Sequence, residues 1–150
     1  MNKALSLIDH FSVIPDPRLD RQKKHKLIDI IVIAICGVIC SCESWVDIEE
    51  YGNTKIDWFR RFLDLPNGIP SHDTFGRVFS ILDPNEFQRK FQDWVRDTFE
   101  ISKGEIISLD GKYFKASLRE TGRPRSVLGM VSAWATNAGV SLAHKRADFE

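Results

Sequence analysis

Asp29-Ile30-Ile31-Val32-Ile33-Ala34-Ile35-Cys36-Gly37-Val38-Ile39-Cys40-Ser41-Cys42 decides what kind of molecule this is. Ile30 to Cys42 is a run of thirteen residues without a charge. Coiled as a helix it reaches about 20 Å, against a membrane hydrocarbon core of about 30 Å. It begins well inside the chain, behind Arg21-Gln22-Lys23-Lys24-His25-Lys26, and lacks the N-terminal placement of a secretory leader. The expectation is a core helix around Leu27–Cys40, apolar on nearly all sides. With no segment for a membrane or for export, the chain is expected to be cytoplasmic. Its three cysteines all fall in or beside this run, at Cys36, Cys40 and Cys42. C-x3-C-x-C is not a zinc spacing, and an odd count does not make a disulfide framework, so buried reduced thiols are expected.

On either side the sequence reads as short helices with clear breaks. Leu5, Leu7, Ile8 and Phe11 form an amphipathic stripe closed by Pro15-Asp16-Pro17. Ser44, three residues before Asp47, is an N-cap signal for a helix carrying Trp45, Ile48 and Tyr51, which Gly52-Asn53 should end. Trp58, Phe59, Phe62 and Leu63 follow helical spacing up to the turn Leu65-Pro66-Asn67-Gly68-Ile69-Pro70. Ser71 caps the next helix, with Asp73 in its first turn and Phe75, Val78, Phe79 and Leu82 as its apolar stripe. Asp83-Pro84-Asn85-Glu86 combines a cap, a proline at the first helical position and a reciprocal Glu at the third. Phe87, Phe91, Trp94, Val95 and Phe99 then line one face, a core stripe rather than a cofactor box.

Beyond Ser102-Lys103-Gly104 the period changes. Glu105–Asp110, Val127–Thr136 and Val140–His144 read as strands, the last two joined by the hairpin loop Asn137-Ala138-Gly139. Charge marks the same division. Residues 1–100 carry 13 basic and 16 acidic groups, net −3, while residues 101–150 carry 8 and 5, net +3. The formal charge of the whole is zero, which excludes a polybasic protein that holds nucleic acid by bulk charge alone. The fold class is α+β, with an all-helical domain over 1–100 and a strand-rich segment over 101–150. A few strands with open edges bury little, so limited proteolysis should leave a core ending near residue 100.

Ile107-Ser108-Leu109-Asp110-Gly111-Lys112 invites a chemical reading. An acidic residue at a strand end holds a divalent cation, Gly lets a phosphate backbone approach, and a lysine neutralises it. Taken alone the hexapeptide reads more readily as a solvated Asp-Gly turn after an edge strand. Its surroundings add information. Pro15-Asp16-Pro17-Arg18, His25-Lys26-Leu27, Trp45-x-x-Ile48-Glu49-x-Tyr51-Gly52 and the uninterrupted Leu65-Pro66-Asn67-Gly68-Ile69-Pro70-Ser71-His72-Asp73-Thr74-Phe75 form a series. Leu82-Asp83-Pro84, Asp110-Gly111-Lys112 and Val131-Ser132-Ala133-Trp134 continue it. Together they closely resemble the H-repeat-associated, Rhs-element-linked insertion-sequence transposases, nearly end to end from about Leu7 to Leu142.

The resemblance implies a helical N-terminal domain followed by a ribonuclease H-like catalytic domain of the DDE type. It also implies Mg²⁺-dependent DNA strand cleavage and transfer, with Asp110 as the first of three metal-holding carboxylates. Two cations about 4 Å apart clamp the attacking and leaving oxygens of the displacement, and one carboxylate cannot hold both. The family's second Asp and its Glu have no counterpart in these 150 residues. Tyr113-Phe114-Lys115 replaces the usual Thr-Leu-Arg, Gly129 stands where a His is common, and Ala143–Glu150 departs from the family pattern. The expectation is a C-terminally truncated member, inactive as a catalyst on its own.

Binding without catalysis is the other expectation, with the ends of the DNA element as partner. The helices on either side of Pro66–Pro70 have helix-turn-helix proportions, apart from a turn longer than usual. That would place Ser71, His72, Thr74 and Arg77 near the exposed N-terminal end of a reading helix. The equal alternative is that Ser71 and Asp73 merely cap a core helix. Arg18, Arg21, Lys23, Lys24 and Lys26 form one basic stretch, and Lys112, Lys115, Arg119, Arg123 and Arg125 a second. Each reads as a set of phosphate contacts or as a solvated linker. His10, His25, His72 and His144 are scattered without ligand spacing, and no Gly-rich phosphate loop or nucleophile elbow is present. The alternative of a different class is a helical interaction module that associates with itself or with an intact transposase.

Overall fold

The computed structural model describes residues 3–99 other than Ser41, and side chains over 6–97 of that range. The strands expected at Glu105–Asp110, Val127–Thr136 and Val140–His144, like Asp110, Lys112 and Lys115, lie outside the described residues. Within them the chain is helical throughout, and no strand is present among them. The elements are α1 (Lys3–Phe11), α2 (Leu27–Ile39), α3 (Trp45–Thr54), the single turn α4 (Ile56–Phe59), α5 (His72–Ile81) and α6 (Pro84–Phe99). A short 3-10 turn, Asp20–Gln22, interrupts the basic segment before α2.

The uncharged run is the centre of the bundle. Every residue from Ile30 to Cys36 is fully buried, and no helix among the described residues is long and apolar enough to cross a membrane. α2 packs against α1 and α3, α1 against α6, and α3 against α5. Aromatic rings tie the outer helices to one another. Trp45 of α3 stacks on Phe79 of α5 at 5.3 Å, Phe79 meets Phe87 of α6 at 5.8 Å, and Phe87 meets Phe11 of α1 at 5.2 Å. Phe87, Phe91, Trp94 and Val95 are buried, as their stripe predicts.

Two of the expected caps form as read. The Ser44 hydroxyl accepts from the Asp47 N–H at 3.1 Å, and Ser71 Oγ accepts from the Thr74 N–H at 3.3 Å. The third differs: Asp83 accepts from the Asn85 N–H at 3.0 Å, but Glu86 turns away to pair with Arg89. An i,i+3 cation on the same face has displaced the reciprocal bond to the cap. α3 runs through Gly52-Asn53 to Thr54 because Gly52 is needed inside the helix. A Cβ there would sit 2.7 Å from Ile69 Cγ2, so the glycine serves close packing rather than termination. α4 stops at Phe59, with Phe62 and Leu63 in the following turn. α5 packs on α3, and the helix that precedes Pro66–Pro70 is the single turn α4. Among the cysteines, Cys36 is buried while Cys40 and Cys42 are only half-buried.

Candidate nucleic-acid interface

The loop between α1 and α2 is held by one ion pair. Arg18, 8% exposed, donates from Nε and Nη2 to the Asp16 carboxylate at 3.0 and 2.8 Å. Its Nη2 also donates to the His25 carbonyl at 2.7 Å. Burial works against the Asp16 charge, but the hydrogen bonds and charge of Arg18 outweigh it and hold the carboxyl below its ordinary range. A second clamp comes from the turn before α5: the Asn67 side-chain amide donates to the Lys24 carbonyl at 2.8 Å, and Lys26 pairs with Asp64 at 2.6 Å. Gly68 takes φ +74° and donates to the Leu65 carbonyl at 3.1 Å, closing that turn. The position of Lys24 and His25 is therefore set by Asp16, Arg18 and Asn67.

These clamps hold Lys24 and His25 against α5. A groove of about 400 Å³ lies between them, lined on one side by Arg18, Lys24 and His25 and on the other by Thr74, Arg77 and Val78. Arg77 makes a 3.4 Å bond to the Thr74 hydroxyl, and no carboxylate lines the groove. Of its cations, Arg18 is matched by Asp16, while Lys24 and Arg77 have no acidic partner among the described residues. His25 is 9% exposed. Burial, then the charges of Lys24 and Arg18, push its pKa below the usual histidine value, so the ring is neutral at pH 7.

Of the residues expected from sequence, Lys24, Thr74 and Arg77 are thus brought together. Ser71 and His72 are not. Ser71 is engaged with Thr74, and the Glu49 carboxylate of α3 accepts from the His72 N–H at 2.7 Å while lying 3.3 Å from its Nδ1. Asp73 is 3.5 Å from the other ring nitrogen. The positive end of the α5 dipole is already met by carboxylates. Lys23 pairs with Asp20 at 3.1 Å and lines a separate cavity on the α1 side. His25 and Glu49 are not expected at a site from the sequence, although both stand in motifs that carry the resemblance, His25-Lys26-Leu27 and Trp45-x-x-Ile48-Glu49. Nothing in the sequence shows that Glu49 reaches α5.

Other chemistry is not assembled here. Among the described residues no three His, Cys, Asp or Glu side chains are grouped to hold a metal ion. Two thiols are held protonated, chiefly by burial: Cys42 is pushed up to about 11 and Cys36 well above the ordinary thiol value.

Among the described residues the chain is a helical unit with one groove lined by cations and no carboxylate. Residues 8–95, more than half of the chain, match the family described as DDE_Tnp_1-associated, and the chain belongs to that family. It is similar to "Putative transposase YncI" of Escherichia coli O157:H7, 38% identical over 143 residues, covering 95% of this chain and 36% of that protein. It is 37% identical over 142 residues to "H repeat-associated putative transposase YhhI" of Escherichia coli K12, covering 95% of this chain and 37% of that one. "Inactive transposase YbfQ" of the same strain is 46% identical over 74 residues, 49% of this chain and 88% of that protein. The chain spans little more than a third of the length of the first two. No solved structure matches. The chain is transposase-related, as its motifs predict.

Proposed function

We propose that residues 1–100 are a DNA-contacting domain of a transposase-family protein, directed to the ends of a mobile element. Residues 101–150 would open its ribonuclease H-like domain. The observation that carries this reading is the convergence of Lys24, Thr74 and Arg77, from segments about fifty residues apart, on one groove with no carboxylate in its lining. A duplex presents a dense line of phosphates, and cations without internal partners are the ones free to neutralise them. Lys23, and Lys112 and Lys115 beyond the described residues, would add phosphate contacts. Ser71 and His72 would act mainly by fixing the start of α5.

Asp110 is assigned as a metal-holding carboxylate on the resemblance alone. Mg²⁺ in such a site would stabilise charge on the phosphoryl oxygens. What is proposed for residues 1–100 is binding, not cutting. The DNA contact proposed here needs no metal.

Fluorescence anisotropy with a labelled duplex from the element ends tests the reading. The expected result is binding whose log affinity falls steeply with log salt, with a slope shallower by about 1 for each of Lys24→Ala and Arg77→Ala. A flat salt response, or unchanged binding in the double variant, would overturn it.

A further inference from the structure

We infer that the groove between the Arg18–His25 segment and α5 is a site for a single nucleotide unit. Its phosphate would be held by Lys24 and Arg77, and its base and sugar would lie over Ile81. The assignment rests on the DNA-contact reading above and narrows it to one chemical unit. Size comes first. About 400 Å³ lies within the range of small-molecule sites, and a cavity of that volume admits one nucleotide but not a duplex. Charge comes second: Lys24 and Arg77 have no acidic partner among the described residues, and Arg18 is paired with Asp16.

The lining gives a third observation. Ile81 is half-exposed on the α5 wall, an apolar side chain left open to solvent in the same groove as two cations, while Val78 beneath it is buried. A phosphate alone would not use that surface, whereas the face of a base would. The fourth is His25. As a residue it is 9% exposed and lines the groove, and its ring makes no hydrogen bond among the described residues. Its ring nitrogens are not sealed from solvent, so a ligand group in the groove can reach them. The rim is set in advance, because the carbonyls of Lys24 and His25 are held by Asn67 and Arg18. The charged groups around the ring, Lys24, Arg18 and Arg77, are all cationic. An arriving phosphate would therefore favour its protonation, so binding takes up a proton.

The test uses the full chain, titrated with thymidine 5′-monophosphate, thymidine and inorganic phosphate, followed by the histidine ring resonances in NMR spectra. A 5′-phosphorylated single strand and a blunt duplex complete the set. Expected are a shift of the His25 ring with the monophosphate and the phosphorylated strand, and none with thymidine. Inorganic phosphate should bind at least fivefold more weakly than the nucleotide. Arg77→Gln and Lys24→Gln, both at exposed positions and checked for folding by circular dichroism, should each weaken nucleotide binding at least fivefold. Wild-type affinity should rise from pH 7 to pH 5.5. Nucleotide binding no tighter than that of inorganic phosphate, or unaffected by both substitutions, would overturn the site. Duplex binding that depends on Lys24 and Arg77 without any nucleotide binding would sink this inference alone. Nucleotide binding without affinity for either DNA would support the site with a free nucleotide as its source, and sink the DNA reading instead.

Discussion

The first turn and the middle of α5 invite comparison, because His72 and Arg77 stand five residues apart on one helix and meet opposite surroundings. At the first turn Glu49 and Asp73 lie against His72, and the helix end is satisfied from within the protein. One and a half turns later Arg77 faces Lys24 and His25 across a groove without a carboxylate. The chemistry usually offered by a helix N-terminus is here consumed by α3, and the free charge has moved along the helix. The difference shows that a side chain's place in a helix does not decide its availability. The neighbouring element does.

Several substitutions would break or sharpen that contrast. The largest effect falls on what both parts of the helix share. Phe79 is buried between Trp45 and Phe87, so Phe79→Ala should cost about 3–5 kcal/mol in urea unfolding and disable both parts together. A loss below about 1 kcal/mol would mean that α5 is not held by the ring chain. Ser71→Ala removes the cap and one hydrogen bond to Thr74 but no groove cation. It should cost about 1 kcal/mol of stability and leave DNA affinity within twofold. A tenfold loss of affinity would return the first turn to a binding role.

Acidity gives the smallest and most specific effect. The pKa of His25 is depressed, so the unfolded chain takes up a proton more readily, and stability should fall as pH drops below about 6.5 through the folded value. His10 behaves oppositely. Burial lowers its pKa, but hydrogen bonds to Asp97 and the Ser6 carbonyl, aided by the charges of Asp97 and Asp93, raise it overall. Its contribution is present below about 6.5 and lost as pH rises through the folded value. Unfolding curves from pH 5 to 8 should therefore lose their acid-side fall in His25→Gln and their alkaline-side fall in His10→Gln. The same change in both variants would contradict the assignment of either ring.

Much of the helical part is legible in the sequence, because local rules govern it. The uncharged run at Ile30–Cys42, the caps at Ser44 and Ser71, and the α6 stripe depend on spacing and on neighbours within a turn or two. Where reading failed, a distant residue had intervened. Ile69 fills the space that made Gly52 necessary, and Arg89 takes Glu86 from the cap. The groove was half legible: Lys24, Thr74 and Arg77 stand out as polar residues near breaks, but their meeting depends on Asn67 reaching back 43 positions to the Lys24 carbonyl. No periodicity announces a bond of that length.

The central claim is that the second turn of α5, not the first, faces DNA. Anisotropy titrations of one labelled element-end duplex against Arg77→Ala and His72→Ala at a single low salt concentration test it most directly. The account predicts about a tenfold loss for Arg77→Ala, equivalent to about 1.4 kcal/mol, and less than twofold for His72→Ala. The reverse order, or equal losses, would contradict it.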